Sequence, residues 1–242
     1  MAEDEIIKHT KKTVEILRSA ESDWKHKIKD IILEILIIIF AVTVSIWLHN
    51  WSEQQHDKKE EKEFFIGLKK DLELNITNIT NSNLFYVNTL KGIRYFLIAG
   101  NSTGLNQDSI NKYSGIFFNS TDLDPHIGRY EGLKSSGKFK IIENKDLLNN
   151  IITLHESIIQ RIQELNEKYY RHNDKLETLI SQNIQLMKNG QIANASEVTN
   201  RSDFKILLNI NGGIISNNII PANEAGINKC KEIIKQIDTE LK

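Results

Sequence analysis

The chain has 242 residues, 31 basic against 32 acidic side chains and a formal net charge of −1. A balance this close to neutral argues against a nucleic-acid binder, which needs a basic face for phosphate. Cys230 is the sole cysteine, so an internal disulfide is excluded, and Pro125 and Pro221 are the only prolines, so little in the chain interrupts a helix.

Residues 1–30 read as an amphipathic helical arm. Ile7, Val14, Leu17, Trp24 and Ile28 fall on one stripe with Thr10 and Glu21, at spacings that alternate three and four. Lipid phosphates facing the arm's lysines, or a second copy of the arm, would each suit such a helix. Residues 31–48, IILEILIIIFAVTVSIWL, follow with one charge, Glu34, and no Gly or Pro. As a helix the run spans roughly 27 Å, close to the hydrocarbon thickness of a bilayer. Trp24 precedes it and Trp47 and Trp51 close it, which is the placement of an aromatic belt. The predicted element is one transmembrane helix over residues 31–49, an uncleaved signal anchor. Lys25, Lys27 and Lys29 crowd its N-terminal edge, whereas the first lysines beyond it are Lys58 and Lys59. That bias predicts a cytoplasmic N-terminus and an outer C-terminal domain, periplasmic if the membrane is a bacterial inner membrane.

Glu34 lies about one turn inside the boundary, where an ionisable group costs energy unless it reaches the headgroups or meets a partner helix. Ala41 and Ser45 form a small-xxx-small pair, so Glu34, Ala41 and Ser45 are the predicted helix–helix interface. The partners expected are membrane lipid and a second protein helix, from another copy or another subunit. Residues 50–63 are almost wholly charged or amide and read as a solvated helical stalk.

Residues 64–242 read as a helical bundle domain. Phe65, Leu68, Leu72, Ile76, Ile79, Tyr86, Leu90, Ile93 and Leu97 make the first apolar stripe, ended by turn chemistry at residues 100–104. Short helices are expected over residues 108–118 and 127–134, with a loop at 119–125 between them. A long helix follows over residues 145–187 on a stripe from Leu148 through Ile162 to Ile180. Residues 188–200 read as a loop. A helix over 202–219 is interrupted by Gly212 and Gly213, and Pro221 breaks the chain before a last helix over 224–241. The fold class is therefore all-α: a single N-terminal transmembrane helix followed by an elongated antiparallel helical bundle.

The second short helix carries, and is stopped by, Tyr130-Glu-Gly-Leu133-Lys-Ser135-Ser136-Gly137. Ser135 and Ser136 can hydrogen-bond the last carbonyls of a short helix, and Gly137 can take the left-handed cap geometry. Tyr130 and Leu133 then point inward, which makes a structural corner of the bundle.

Chemistry-bearing motifs are absent. His9, His26, His49, His56, His126, His155 and His172 are scattered without metal-ligand spacing and read as surface histidines. Cys230 sits on an amphipathic terminal helix as a small core residue, no G-x-S-x-G elbow occurs, and Gly212-Gly213 lacks the Lys-Ser/Thr of a phosphate loop. No enzyme, cofactor or small-molecule substrate is expected.

Two stretches resemble one family. The first is Glu34-Ile-Leu, then Ile46-Trp-Leu-His-Asn50-Trp51-Ser-Glu53 and Gly67-Leu-Lys-Lys-Asp71-Leu. The second is Tyr130-Glu-Gly-Leu133-Lys-Ser135-Ser136-Gly137 with Ile141-Ile142-Glu-Asn144 and Leu147-Leu148. Together they resemble an uncharacterised family of bacterial single-pass membrane proteins, a domain of unknown function, over most of residues 30–180. The chain departs from it at Ser52, where the family tends to Asn, and in its longer arm. The resemblance implies this single-pass topology and a bacterial envelope location. The function expected is a membrane-anchored scaffold or accessory subunit of an envelope complex, without catalysis. A single-pass sensor, or an oligomeric membrane effector in signalling or defence, is the alternative.

Overall fold

A computed structural model describes residues 2–99, 105–119, 121, 123–187 and 192–242. The described chain is helical throughout apart from short connections and one isolated bridge between Leu186 and Ile192. The first helix, α1, is Ala2–Ala99. The chain divides into two compact units, residues 1–59 and Glu60–Lys242, described separately below.

In the first unit one helix is long and apolar enough to cross a membrane, and none of its apolar window is buried. The side chains of the N-terminal seam before Trp24 lie outside the described residues.

The second unit is held by three helical spans. One is α1 from residue 60 onward. Another is α4 (Lys145–Thr153), continued through a π-helical turn at Leu154–Ile159 into α5 (Gln160–Asn183). The last is α7 (Ser202–Ile214), continued through a second π-helical turn at Ile215–Ile219 into α8 (Ile220–Glu240). Short helices complete it: α2 (Gln107–Tyr113), α3 (Gly128–Ser135) and α6 (Ala195–Asn200).

Side-chain pairs fix the directions. Lys69 meets Asp238 and Asn83 meets Asn223, so α1 and α8 run antiparallel. Asn150 meets Gln236 and Asn173 meets Asn211, so the α4–α5 and α7–α8 spans are antiparallel too. Phe65 and Leu68 share one core with Leu147 and Ile151, and Tyr86 and Phe96 share another with Leu165 and Leu176. Hence α1 and α4–α5 run parallel, and residues 105–144 return the chain to the start of the bundle.

The helix break expected at Gly212, Gly213 and Pro221 does not occur. Pro221 lies in the first turn of α8, directly after the π-helical turn. A proline lacks the N–H and crowds the carbonyl one turn back, and a wider turn at that point accommodates both. The two glycines cost about 1 kcal/mol each against alanine, which the packing of Leu208, Ile214, Ile215 and Ile219 offsets. Gly226 permits a close approach of α8 to its neighbours: a Cβ there would stand 2.9 Å from Ile162 Cδ1 and 3.4 Å from Ile79 Cδ1.

Other differences are local. The stalk ends earlier than its composition implied, since Glu60 pairs with Lys138 and Glu61 accepts from the Glu143 amide at 2.9 Å. Part of the loop expected at 188–200 is α6, whose Val198 is buried. The turn expected at residues 100–104, and residues 188–191 of that loop, lie outside the described residues.

Candidate functional site

Two features stand out, one in each unit. In the first, Trp24 and Trp47 are both 63 % exposed and Trp51 53 %, and every large hydrophobic of residues 31–48 is exposed except Val44, which is half-buried. Along a helix Trp24 and Trp47 are separated by roughly 35 Å, enough to reach both edges of a hydrocarbon slab. Ala41 and Ser45 each fall within about 20° of Glu34 around the axis, on opposite sides of it, since seven and eleven residues are close to whole turns. The structure thus places the three on one helix face. The Ser45 hydroxyl donates to the Ala41 carbonyl at 2.8 Å, and Thr43 does the same to Ile39 at 2.7 Å. Ser45 therefore serves that face as a small residue rather than as a free donor.

In the second unit the corner is built on α3. The Ser135 hydroxyl donates to the Gly132 carbonyl at 3.1 Å and that of Ser136 to the Leu133 carbonyl at 2.9 Å. Gly137 follows with φ +67° and ψ +16°, in the left-handed region open to glycine. Tyr130 and Leu133 are buried in the core. All five predicted corner residues therefore lie together.

The structure adds two residues to this corner. The Tyr130 hydroxyl donates to Glu156 Oε1 at 2.7 Å, and Lys134 Nζ donates to the same oxygen at 2.6 Å. The His155 ring stacks on the Tyr130 ring, with centroids 4.2 Å apart and planes 4° from parallel. His155 is not a surface residue, as its polarity suggested: it is 7 % exposed, and neither ring nitrogen has a hydrogen-bond partner. Burial holds its pKa down at about 4, against the weaker pull of Glu156. The imidazole is therefore neutral at physiological pH. Glu156 is held below the usual carboxylate range by Lys134 and then by Tyr130, while burial and then Glu156 push the Tyr130 hydroxyl up.

Both added residues lie in the first π-helical turn. The extra residue in that turn brings His155 under Tyr130 and turns Glu156 outward to Lys134. The sequence held a signal for His155, which continues the apolar stripe of Leu148, Ile152, Ile159 and Ile162 at spacings of three and four.

Chemically the corner is a lock. Its serine hydroxyls are spent on backbone carbonyls, its carboxylate is already shared by two donors, and its histidine is shut from solvent. The neighbouring groove, about 270 Å³ and lined by Glu60, Glu63, Arg129, Gly132 and Lys138, is likewise charge-compensated. Lys138 there pairs with Glu60, and Arg129 reaches Asp71 at 3.2 Å. Cys230 is buried in the core, its thiol pushed up to about 12 by desolvation, which leaves it inert.

The remaining polar interior sets register. Asn75, 1 % exposed, donates to the His126 carbonyl at 3.3 Å and accepts from the His126 amide at 2.7 Å, pinning the crossover to α1. Tyr86 donates to Asn166, and Asn211 donates to Asn173 at 3.3 Å. Comparison with known proteins finds no match, whether to a family model, a curated protein or a solved structure.

Proposed function

We propose that the chain is a membrane-anchored helical interaction module, a scaffold or accessory subunit of a bacterial inner-membrane complex that binds rather than catalyses. One observation carries the reading. No residue of the apolar run 31–48 is buried in protein, while the second unit closes over two apolar clusters of its own. An uncovered apolar helix of that length needs lipid as its solvent. Lys25, Lys27 and Lys29 support an orientation with the arm in the cytoplasm and the bundle in the periplasm.

The span has more than anchoring requires. Glu34, Ala41 and Ser45 share a face, and a second helix, from another copy or another subunit, would meet it there. Interhelical hydrogen bonds in membranes average about 0.6 kcal/mol, so the association is weak and reversible. Light scattering in mild detergent tests it. The wild-type chain is expected to exceed the monomer mass, and Glu34→Leu and Ala41→Ile/Ser45→Ile to shift it toward monomer. Variants that assemble as strongly as wild type would remove the span from the interface.

A further inference from the structure

The helical unit carries an open groove between α1 and α7, about 360 Å³ in volume. Leu90, Ile93 and Leu97 line it from α1 and Leu208 from α7. Ile98 also lines it and is 65 % exposed, and on α7 Ile206 and Ile210 are 58 % and 39 % exposed. The α7 side is formed by the backbone of Gly212 and Gly213. A Cβ on Gly213 would meet nothing within 4 Å. Nothing in the packing of the described residues therefore calls for glycine at this helical position, where it costs about 1 kcal/mol against alanine. What its missing side chain does is keep the groove open.

Arg94 is the one charged side chain among the residues described as lining the groove. From residue 74 to 99 on α1, and from 204 to 223 across α7 and the start of α8, there is no Asp or Glu. The charges there are Lys91, Arg94 and Lys205. Arg94 lines the groove and makes no ion pair among the described residues. The stretch of α1 facing the groove, residues 90–98, covers about two turns, the length over which a docked helix seats anchors at i, i+3 or i+4, and i+7. A two-fold pairing of copies would set these acid-free faces against each other, and like charges across an interface are unfavourable.

We infer that this groove docks an amphipathic helix of another protein, its apolar residues over Gly212 and Gly213 and its Asp or Glu side chains beside Arg94. The inference deepens the interaction reading above and rests on it. The full chain in phosphatidylcholine nanodiscs tests it by fluorescence anisotropy. The probe is a fluorescein-labelled peptide of about 18 residues, with leucines at i, i+3, i+4 and i+7 and glutamates beside them. A second peptide has lysine in place of each glutamate. The acidic peptide is expected to bind at least about tenfold more tightly than the basic one. Arg94→Glu should reverse that order. Gly213→Leu should weaken the acidic peptide at least about tenfold while leaving the thermal melt intact. Arg94→Glu, a change at an exposed position, keeps the test decisive if the leucine variant misfolds.

Equal affinity for the two peptides, no saturable binding of the acidic one, or binding that a folded Gly213→Leu leaves unchanged would overturn the proposal. So would copies that associate without peptide and separate on Gly213→Leu, which would give the groove to a second copy. Flotation of the nanodisc-free chain with liposomes reports membrane anchoring separately, so failure of the groove and failure of the anchor are distinguishable.

Discussion

Burial of His155 makes the bundle acid-sensitive, with a size that follows from the structure. The unfolded chain takes up a proton on this imidazole near its ordinary pKa of 6.5, whereas the folded chain does so only at about 4. Between those values the unfolded state binds more protons, so stability falls as pH falls. The contribution is fully present above pH 6.5 and is lost on the way down to about pH 4. From pH 7 to pH 5 the two titrations differ by about 2 kcal/mol, and by pH 4 by about 3 kcal/mol. That is a large share of the 5–15 kcal/mol that holds a typical domain. Glu156 favours the imidazolium but not enough to offset desolvation. The assay is urea unfolding followed by helical circular dichroism, with the full chain in mild detergent at pH 7 and pH 5. His155→Phe keeps a ring against Tyr130, removes two unpartnered buried nitrogens and cannot titrate. It should therefore lose about 2 kcal/mol less than wild type between the two pH values. An identical loss in both proteins would refute the reasoning and move the acid sensitivity elsewhere.

Other outcomes follow from the same contacts. Gly137→Val forces a β-branched side chain to φ +67° and should cost about 1 kcal/mol or more, while Ser135→Ala costs less because the Ser136 hydroxyl and the backbone cap remain; thermal melts check both. Gly226→Leu places atoms against Ile162 and Ile79 where α8 already touches, and overpacking of that kind should cost about 1–3 kcal/mol by urea titration. Asn75→Ala unpairs the His126 amide and carbonyl together, so limited proteolysis should cut near residues 123–127 much faster than in wild type. Burial raises the Tyr130 and Tyr169 hydroxyls above their ordinary pKa of 10, so their contribution holds below pH 10 and should be lost above it, seen as a falling melting temperature.

The helical class was legible because apolar spacing of three and four is a local signal. Phe65, Leu68, Leu72, Ile79, Tyr86 and Ile93 all lie in the core on the stripe that spacing predicts. The α3 corner was legible for the same reason: Ser135, Ser136 and Gly137 act on carbonyls within four residues of themselves. Tertiary effects were less visible. Pro221 and the two glycines disfavour a helix locally, yet the apolar face of α7 and α8 overrides them, and a π-helical turn relieves the proline. His155 lay on an apolar stripe, but its type suggested the surface, and its stacking on Tyr130 joins segments twenty-five residues apart. The same holds for Glu60 and Glu61, whose composition read as solvated until Lys138 and the Glu143 amide came within reach. The parallel course of α1 and α4–α5 depends on the crossover at residues 105–144, which carries no periodic signal of direction.

The central claim is that residues 31–48 hold the chain in a membrane with the bundle on the outer side. Cysteine labelling tests it most directly, in a Cys230→Ala background so that a new thiol is the only one. A cysteine at Ser52, just beyond Trp51, should react with a membrane-impermeant maleimide in intact spheroplasts, and one at Ser19 should react only after the membrane is opened. Labelling of Ser19 but not Ser52 in intact spheroplasts would reverse the orientation. Release of the whole chain from membranes by alkaline carbonate would contradict the anchor itself.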